Sequence, residues 1–305
     1  MVKPALACLL LATVLCAQKA HSNPTITFVE ESTTDLPTTV VFVDDHEQLD
    51  GYVGELNEKS EGKIATLIEL NNFTAEVNEV LHLQLVADKT HLLLVGSRQD
   101  QSFSSPKLQD LGGIIAAALQ STEKDVNATI VIDNLDTEES TPAAHVAHGY
   151  HLRDYFFDKY KAIKRGGYST LEFVTLDAAT AAAAESKYDD DLRYVAEGVH
   201  LARNLASEPG KSLYPVEFVA RVKAQLKGLK NLKIRVLNVR DMEKLNMGAL
   251  LGVGQGSIHE PRLLIVEYMG GEKDAPPIAL AGKGVTFDTG GISLKPNANM
   301  WQMKS

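Results

Sequence analysis

Sulfur chemistry is nearly absent from this sequence. Its 305 residues include two cysteines, Cys8 and Cys16, both in the first apolar stretch. From Pro24 onward there is none, which excludes disulfides, a cysteine nucleophile and cysteine-ligated zinc in that part of the chain. Positive charge is also short: 30 Lys and Arg against 40 Asp and Glu leave a net charge of -10. With no basic cluster to offset it, nucleic acid is not an expected partner. Beyond the N-terminus no run is long and apolar enough to cross a bilayer, so a membrane is not an expected partner either. There is no His-Glu-x-x-His pair and no Gly-x-Ser-x-Gly elbow. Asp288-Thr289-Gly290 matches half of an aspartic-protease signature, but no second copy exists and its flanking lysines do not suit a carboxylate dyad.

The first apolar stretch reads as a secretory leader. Lys3 supplies a positive start, Ala5 to Ala17 is too short to span a bilayer, and small residues follow at Ala17, Ala20 and Ser22. Residues 1–22 are therefore expected to be a signal peptide, and the protein to be secreted. Two sequons, Asn72-Phe73-Thr74 and Asn127-Ala128-Thr129, are glycan acceptors on that reading.

Residues 24–175 read as an N-terminal α/β domain. Thr38 to Val43, His91 to Val95 and Asn127 to Ile132 have the β-branched, apolar composition of buried strands. They alternate with helical spacing at Leu108 to Leu119 and at Ala143 to Ala162, which predicts a layered α/β fold. The second of those helices carries His145, His148 and His151, expected as a solvated or packed face. Residues 176–188, Ala-rich and polar, are expected to link this domain to a second one at 189–305. There, Asp189 to Asp191 are placed to cap a long amphipathic helix whose face is Leu192, Val195, Val199, Ala202 and Leu205. Pro215 opens a helix to about Leu229. Strands are expected at Lys233 to Val239, Arg262 to Tyr268 and Pro277 to Ala281. Gly252 to Ser257 is glycine-rich without the Lys-Ser/Thr ending of a phosphate loop, and a tight turn is expected.

Chemistry concentrates at the end of the chain. Gly282-Lys283-Gly284-Val-Thr-Phe-Asp288-Thr-Gly290-Gly291 runs on to Lys295-Pro296 and Met303-Lys304-Ser305. It places two lysines and an aspartate on a Gly-rich turn after an apolar segment. Buried or beside another cation, a lysine loses its charge and becomes a ligand or a base. A carboxylate among glycines suits a divalent cation, because the backbone can approach closely. The same residues also suit a plain turn in which Asp288 caps the next element.

This stretch closely resembles the active-site signature of the leucyl aminopeptidase (M17) family. The resemblance is carried in order by Ala202-Arg203-Asn204-Leu205 to Tyr214-Pro215, Met247 to Ser257, Pro261 to Gly271 and Gly282 to Lys304. It implies a catalytic α/β domain with a mixed central sheet, and a metal-dependent aminopeptidase that releases leucine-type N-terminal residues by a water activated between two metal ions. Zinc or manganese is implied, with magnesium able to replace them. By the same resemblance Lys283 is a metal ligand, Asp288 bridges both metals and Lys295 is the catalytic residue that polarises the scissile carbonyl. Two close cations make a shared water acidic, and a cationic donor helps most where negative charge develops. Peptides with a free N-terminus are the implied substrates, a homo-hexamer the implied assembly and the cytoplasm the family's usual place. The family also uses an aspartate following the position of Ser305 and a later Asn-Thr-Asp-Ala-Glu-Gly-Arg block, whose arginine holds a bicarbonate. Residues 24–305 alone are thus expected to be inactive and incompletely folded beyond about Leu205. The alternative is a non-catalytic relative serving as a structural or secreted binding protein.

Overall fold

A computed structural model describes residues 24–304, except 33, 35, 87–88, 121–125, 163–168 and 273–275. The expected leader, with both cysteines, lies outside the described residues. The chain divides into two compact units, Met1–His200 and Leu201–Ser305.

The first unit is built on a six-stranded sheet. In chain order its strands are β1 (Thr25–Val29), β2 (Thr38–Val43), β3 (Val80–Val86), β4 (Lys89–Gly96), β5 (Val126–Val131) and β6 (Ser169–Val174). In space they run β1-β6-β5-β2-β4-β3. All pairs are parallel except β3 with β4. Parallel neighbours need crossovers, and helices supply them: α1 (Gly51–Lys59) and α2 (Lys63–Leu70) after β2, α3 (Ser105–Gln120) between β4 and β5, and α4 (Pro142–Arg153) between β5 and β6.

Every residue of β2 is buried because both sheet faces are covered. Val40 and Phe42 join Phe28, Leu93, Val95, Ile130 and Phe173 under α3 and α4. Val41 and Val43 join Leu92 and Leu94 on the opposite face, under Val53 and Leu56 of α1 and Ile64 and Ile68 of α2. Helices α3 and α4 cross at glycines. A Cβ on Gly112 would lie 1.9 Å from the Val146 carbonyl oxygen, and one on Gly149 would lie 1.8 Å from that of Gln109. Helix α4 ends at Arg153, short of the expected Ala162. The aromatic run Tyr155-Phe156-Phe157 beyond it is non-helical.

The Ala-rich stretch expected as a linker is instead helix α5 (Ala178–Lys187). Alanine is the strongest helix former, and Asp177 caps the start by accepting the Thr180 N–H at 2.7 Å. The chain then makes a π-helical turn, Tyr188–Leu192, and continues as α6 (Arg193–Ser207). Asp189, Asp190 and Asp191 therefore lie within a continuous helical run rather than capping a new one.

The second unit holds α7 (Pro215–Gln225), α8 (Val239–Lys244) and α9 (Gly248–Gly254), with an antiparallel pair of strands, β7 (Leu232–Leu237) and β8 (Leu263–Tyr268). A capping box fixes the start of α8, with Asn238 accepting from the Asp241 N–H and Asp241 from the Asn238 N–H. The expected tight turn at Gly252 to Ser257 is helical as far as Gly254, which abuts Pro261. Pro277 to Ala281 is not a strand: no neighbour pairs with it among the described residues, and Ile278 and Leu280 are 92% and 95% exposed. A 3₁₀ turn, Met300–Lys304, follows. Among the described residues no helix is long and apolar enough to cross a membrane.

Candidate functional site

The Gly-rich turn folds around Asp288. One oxygen, Oδ1, accepts the Gly290 N–H at 2.9 Å, and the other, Oδ2, accepts from Lys295 Nζ at 2.8 Å. The glycines are needed for this. Gly290 and Gly291 have φ of 93° and 75°, and a Cβ on Gly290 would lie 2.4 Å from the Ser293 carbonyl oxygen. The backbone then doubles back, and Lys295 N–H donates to the Thr289 carbonyl at 2.9 Å. The carboxyl of Asp288 is held below its ordinary value, first by the Lys295 hydrogen bond, then by the Gly290 N–H and by the charges of Lys295 and Lys283.

The 3₁₀ turn closes the other side. The Asp288 N–H donates to the Met303 carbonyl at 3.0 Å, and Lys295 Nζ lies 3.3 Å from Met303 Sδ. Lys304 Nζ donates to the Ser207 carbonyl at 2.7 Å, tying the turn to the end of α6. Phe287, just before the aspartate, rests on Gly210, where a Cβ would come within 2.8 Å of the ring-bearing carbon. The structure thus brings Asp288 and Lys295 into contact. It leaves Lys283 exposed on the same loop, acting on Asp288 only through its charge. Met303 was not legible as a contact of Lys295, because only the tertiary return of the chain creates it.

These residues do not amount to a metal centre. They offer one carboxylate, Asp288, and two amines, of which that of Lys295 is already bonded to it, where a divalent ion takes four or more donors. Both carboxylate oxygens already accept hydrogen bonds within the loop. No group of three or more His, Cys, Asp or Glu among the described residues is arranged to hold a metal ion.

The three histidines of α4 are packed rather than solvated. All are buried, and His151 is completely so. His151 Nδ1 lies 2.9 Å from the Tyr188 hydroxyl on the π turn, and its ring meets that of His200 edge-on at 5.0 Å. Burial, then the charges of His200, His148 and Arg193, push its pKa down to about 3. Burial also lowers His145, against the pull of Glu139, and His148.

Family models describe both units. One for the cytosol aminopeptidase family's N-terminal domain matches residues 40–164, and one for its catalytic domain matches residues 200–305. A probable cytosol aminopeptidase of Nitrobacter winogradskyi is 37% identical over 284 residues, covering 91% of this chain and 55% of the relative. One of Rickettsia bellii is 35% identical over 288 residues, covering 92% and 56%. One of Rhodopseudomonas palustris is 43% identical over 218 residues, covering 70% and 42%. The chain thus spans about half the length of the curated relatives it matches. Among solved structures, a mutant of tomato leucine aminopeptidase has a TM-score of 0.67 at 18% identity, covering 79% of this chain and 50% of that one. A bottromycin maturation enzyme in complex with Mn has a TM-score of 0.64 at 22% identity, covering 88% and 52%. At those identities the likeness establishes the fold: an α/β architecture with a mostly parallel sheet.

Proposed function

Since the chain belongs to the cytosol aminopeptidase family, we propose that its activity is that of a metal-dependent aminopeptidase removing leucine-type residues from peptides with a free N-terminus. The observation that carries this reading is the Asp288–Lys295 pair on the Gly-rich turn, inside the stretch matched by the family's catalytic domain. Two divalent ions, zinc or manganese with magnesium able to substitute, are the cofactors on this reading. Lys283 and Asp288 contribute two of the donors, and the other donors are not among the described residues. Lys295 is the catalytic residue on this reading, its ammonium being the cation that would meet negative charge on the substrate carbonyl oxygen. A homo-hexamer is the proposed assembly. Domain limits of 24–175 and 189–305 stay within the proposal, although the compact units divide at His200 and Leu201.

With so few donors, residues 24–305 alone are expected to leave leucine p-nitroanilide intact with or without added manganese, and measurable hydrolysis overturns that expectation. The function itself is tested by a graft. Residues 200–305 replace the matching stretch of the Nitrobacter winogradskyi relative, and the chimera is assayed beside the parent. Turnover in the chimera, reduced about 100- to 1000-fold by Lys295→Met as for loss of one oxyanion donor, supports the reading. An inactive chimera beside an active parent sinks it.

One observation favours a second reading, that of a non-catalytic relative acting as a structural or binding protein. Lys295 satisfies the carboxylate that a metal would need. Metal content of the purified chain separates the two, because the second reading requires no ion. The leader-like pattern of residues 1–22 supports secretion as the proposed location, while the names of the relatives support the cytosol as the alternative.

A further inference from the structure

We propose that Asn72 is the acceptor for an N-linked glycan and that Asn127 is not, a proposal that rests on the secretory reading of the N-terminus. Sequence alone does not separate the two, since each has threonine two positions on and a non-proline residue between. Asn23-Pro24-Thr25 is excluded by its proline.

The fold separates them. Helix α2 ends in a Schellman motif: the Phe73 N–H donates to the Ile68 carbonyl at 3.0 Å and the Asn72 N–H to that of Glu69 at 3.1 Å. This puts Asn72 in the left-handed region, φ 52°. Phe73 is driven inward, 3% exposed against the helix it terminates, while Asn72 and Thr74 on either side of it face solvent. Thr74 is steadied from outside, its N–H and hydroxyl both donating to Glu79 Oε2 at 2.8 Å. Asparagine is the usual second choice after glycine at this cap, so its presence has a structural reason of its own. A threonine two residues on does not follow from that reason, and Asn72 is exposed at the cap.

Asn127 has no such freedom. It lies in β5, between β2 and β6, aligned with Thr170. Its threonine, Thr129, is 6% exposed in a row that crosses the sheet from Thr39 through Thr129 and Glu172 to Thr27. That row is closed over by the chain after β1, where Ser32 and Thr34 donate to Glu172 Oε2. Asn127 itself is half-buried, and the threonine its acceptor role requires is closed in within that row.

The transfer takes its sugar from a lipid-pyrophosphate-linked oligosaccharide of the secretory pathway. Asn72 Nδ2 forms a bond to the anomeric carbon. The bond from that carbon to the pyrophosphate oxygen breaks, the lipid pyrophosphate leaves with the electron pair, and the carboxamide loses one proton.

The test expresses residues 1–305 in insect cells in two forms, one with its own N-terminus and one with residues 1–22 replaced by a proven signal peptide. Chain recovered from the secretory compartments and the medium is deglycosylated by an amidase in ¹⁸O water, and the labelled aspartates are located by mass spectrometry. The foreign-leader form reads the acceptor directly. Label at position 72, absent from protease-resistant protein at 127 and abolished in Asn72→Gly, is the expected result. Glycine suits the left-handed cap, so that variant keeps the turn. An unlabelled Asn72, or label at Asn127 in protease-resistant protein, overturns the proposal. If only the foreign-leader form is labelled, the secretory reading fails while the acceptor stands.

Discussion

The two units of this chain differ in how they treat apolar residues. In Met1–His200 a six-stranded sheet has a cluster on each face, and aromatic residues such as Phe42 and Phe173 are completely buried. In Leu201–Ser305 the completely or nearly buried apolar residues reduce to Leu213, Val219, Val222 and Met242 among those described, while Ile278, Leu280, Ile292 and Trp301 are exposed. Apolar content alone therefore does not make a core. A strand must have a hydrogen-bonded neighbour and a covered face, and the two-stranded sheet β7–β8 has few of either. The Asp288–Lys295 loop belongs to this less consolidated unit.

The sharpest way to break the comparison is a matched pair of truncations. Phe173→Ala removes a fully buried ring under α3 and α4 and is expected to cost about 3–5 kcal/mol. Val266→Ala, on the half-exposed face of β8, is expected to stay within about 0.5 kcal/mol. Urea unfolding followed by circular dichroism measures both. Equal losses would mean that the second unit is as tightly built as the first.

The imidazole row sharpens the comparison through pH. His151 is folded with a pKa pushed down to about 3, against 6.5 when unfolded. Only the unfolded chain takes up the proton as pH falls through 6.5, so stability is complete above that value and declines toward pH 3. At pH 5 the loss is about 2 kcal/mol, from 1.36 kcal/mol per pH unit. His145 and His148, lowered in the same direction, add to it. The groups around the row are mixed in charge: Glu139 before α4, Lys187 at the end of α5, Asp191 and Tyr188 on the π turn, and Arg193 and His200 on α6. Thermal unfolding of His151→Gln between pH 7 and 5 should fall less steeply than the parent, and parallel curves would show that His151 stays outside the titration.

What could be read from the sequence does not follow that division, since β7 and β8 of the second unit were both expected. Strands β2, β4 and β5 were legible because parallel strands covered on both faces are continuous apolar, β-branched runs. Strands β1, β3 and β6 were not: Thr25–Val29 and Ser169–Val174 mix threonine and Glu172 with their apolar residues, and β3 is an antiparallel edge. The π turn was hidden because Asp189 to Asp191 look like a cap, whereas helix begins earlier on the strength of Ala181 to Ala184. Pro277 to Ala281 has the composition of a strand but lacks the neighbour that would make it one. At the candidate site, Asp288 and Lys295 announced themselves through the glycines around them. The closing role of Met303 depends on residues 300–304 folding back, which no local pattern encodes.

A more local effect tests whether the second unit unfolds with the first. Asn238→Ala removes half of the capping box on α8 and is expected to cost about 1 kcal/mol. If the units were one cooperative body, that loss would appear in the unfolding of the β1–β6 sheet. The helix it caps has six residues and one buried side chain, Met242, so little couples it to distant structure. The cost should instead appear as faster amide exchange over Val239–Lys244, with exchange in β2 and β5 unchanged. Faster exchange in both places would tie the unit bearing Asp288 and Lys295 to the stability of the N-terminal sheet, and would make every mutation in that sheet a mutation of the candidate site as well.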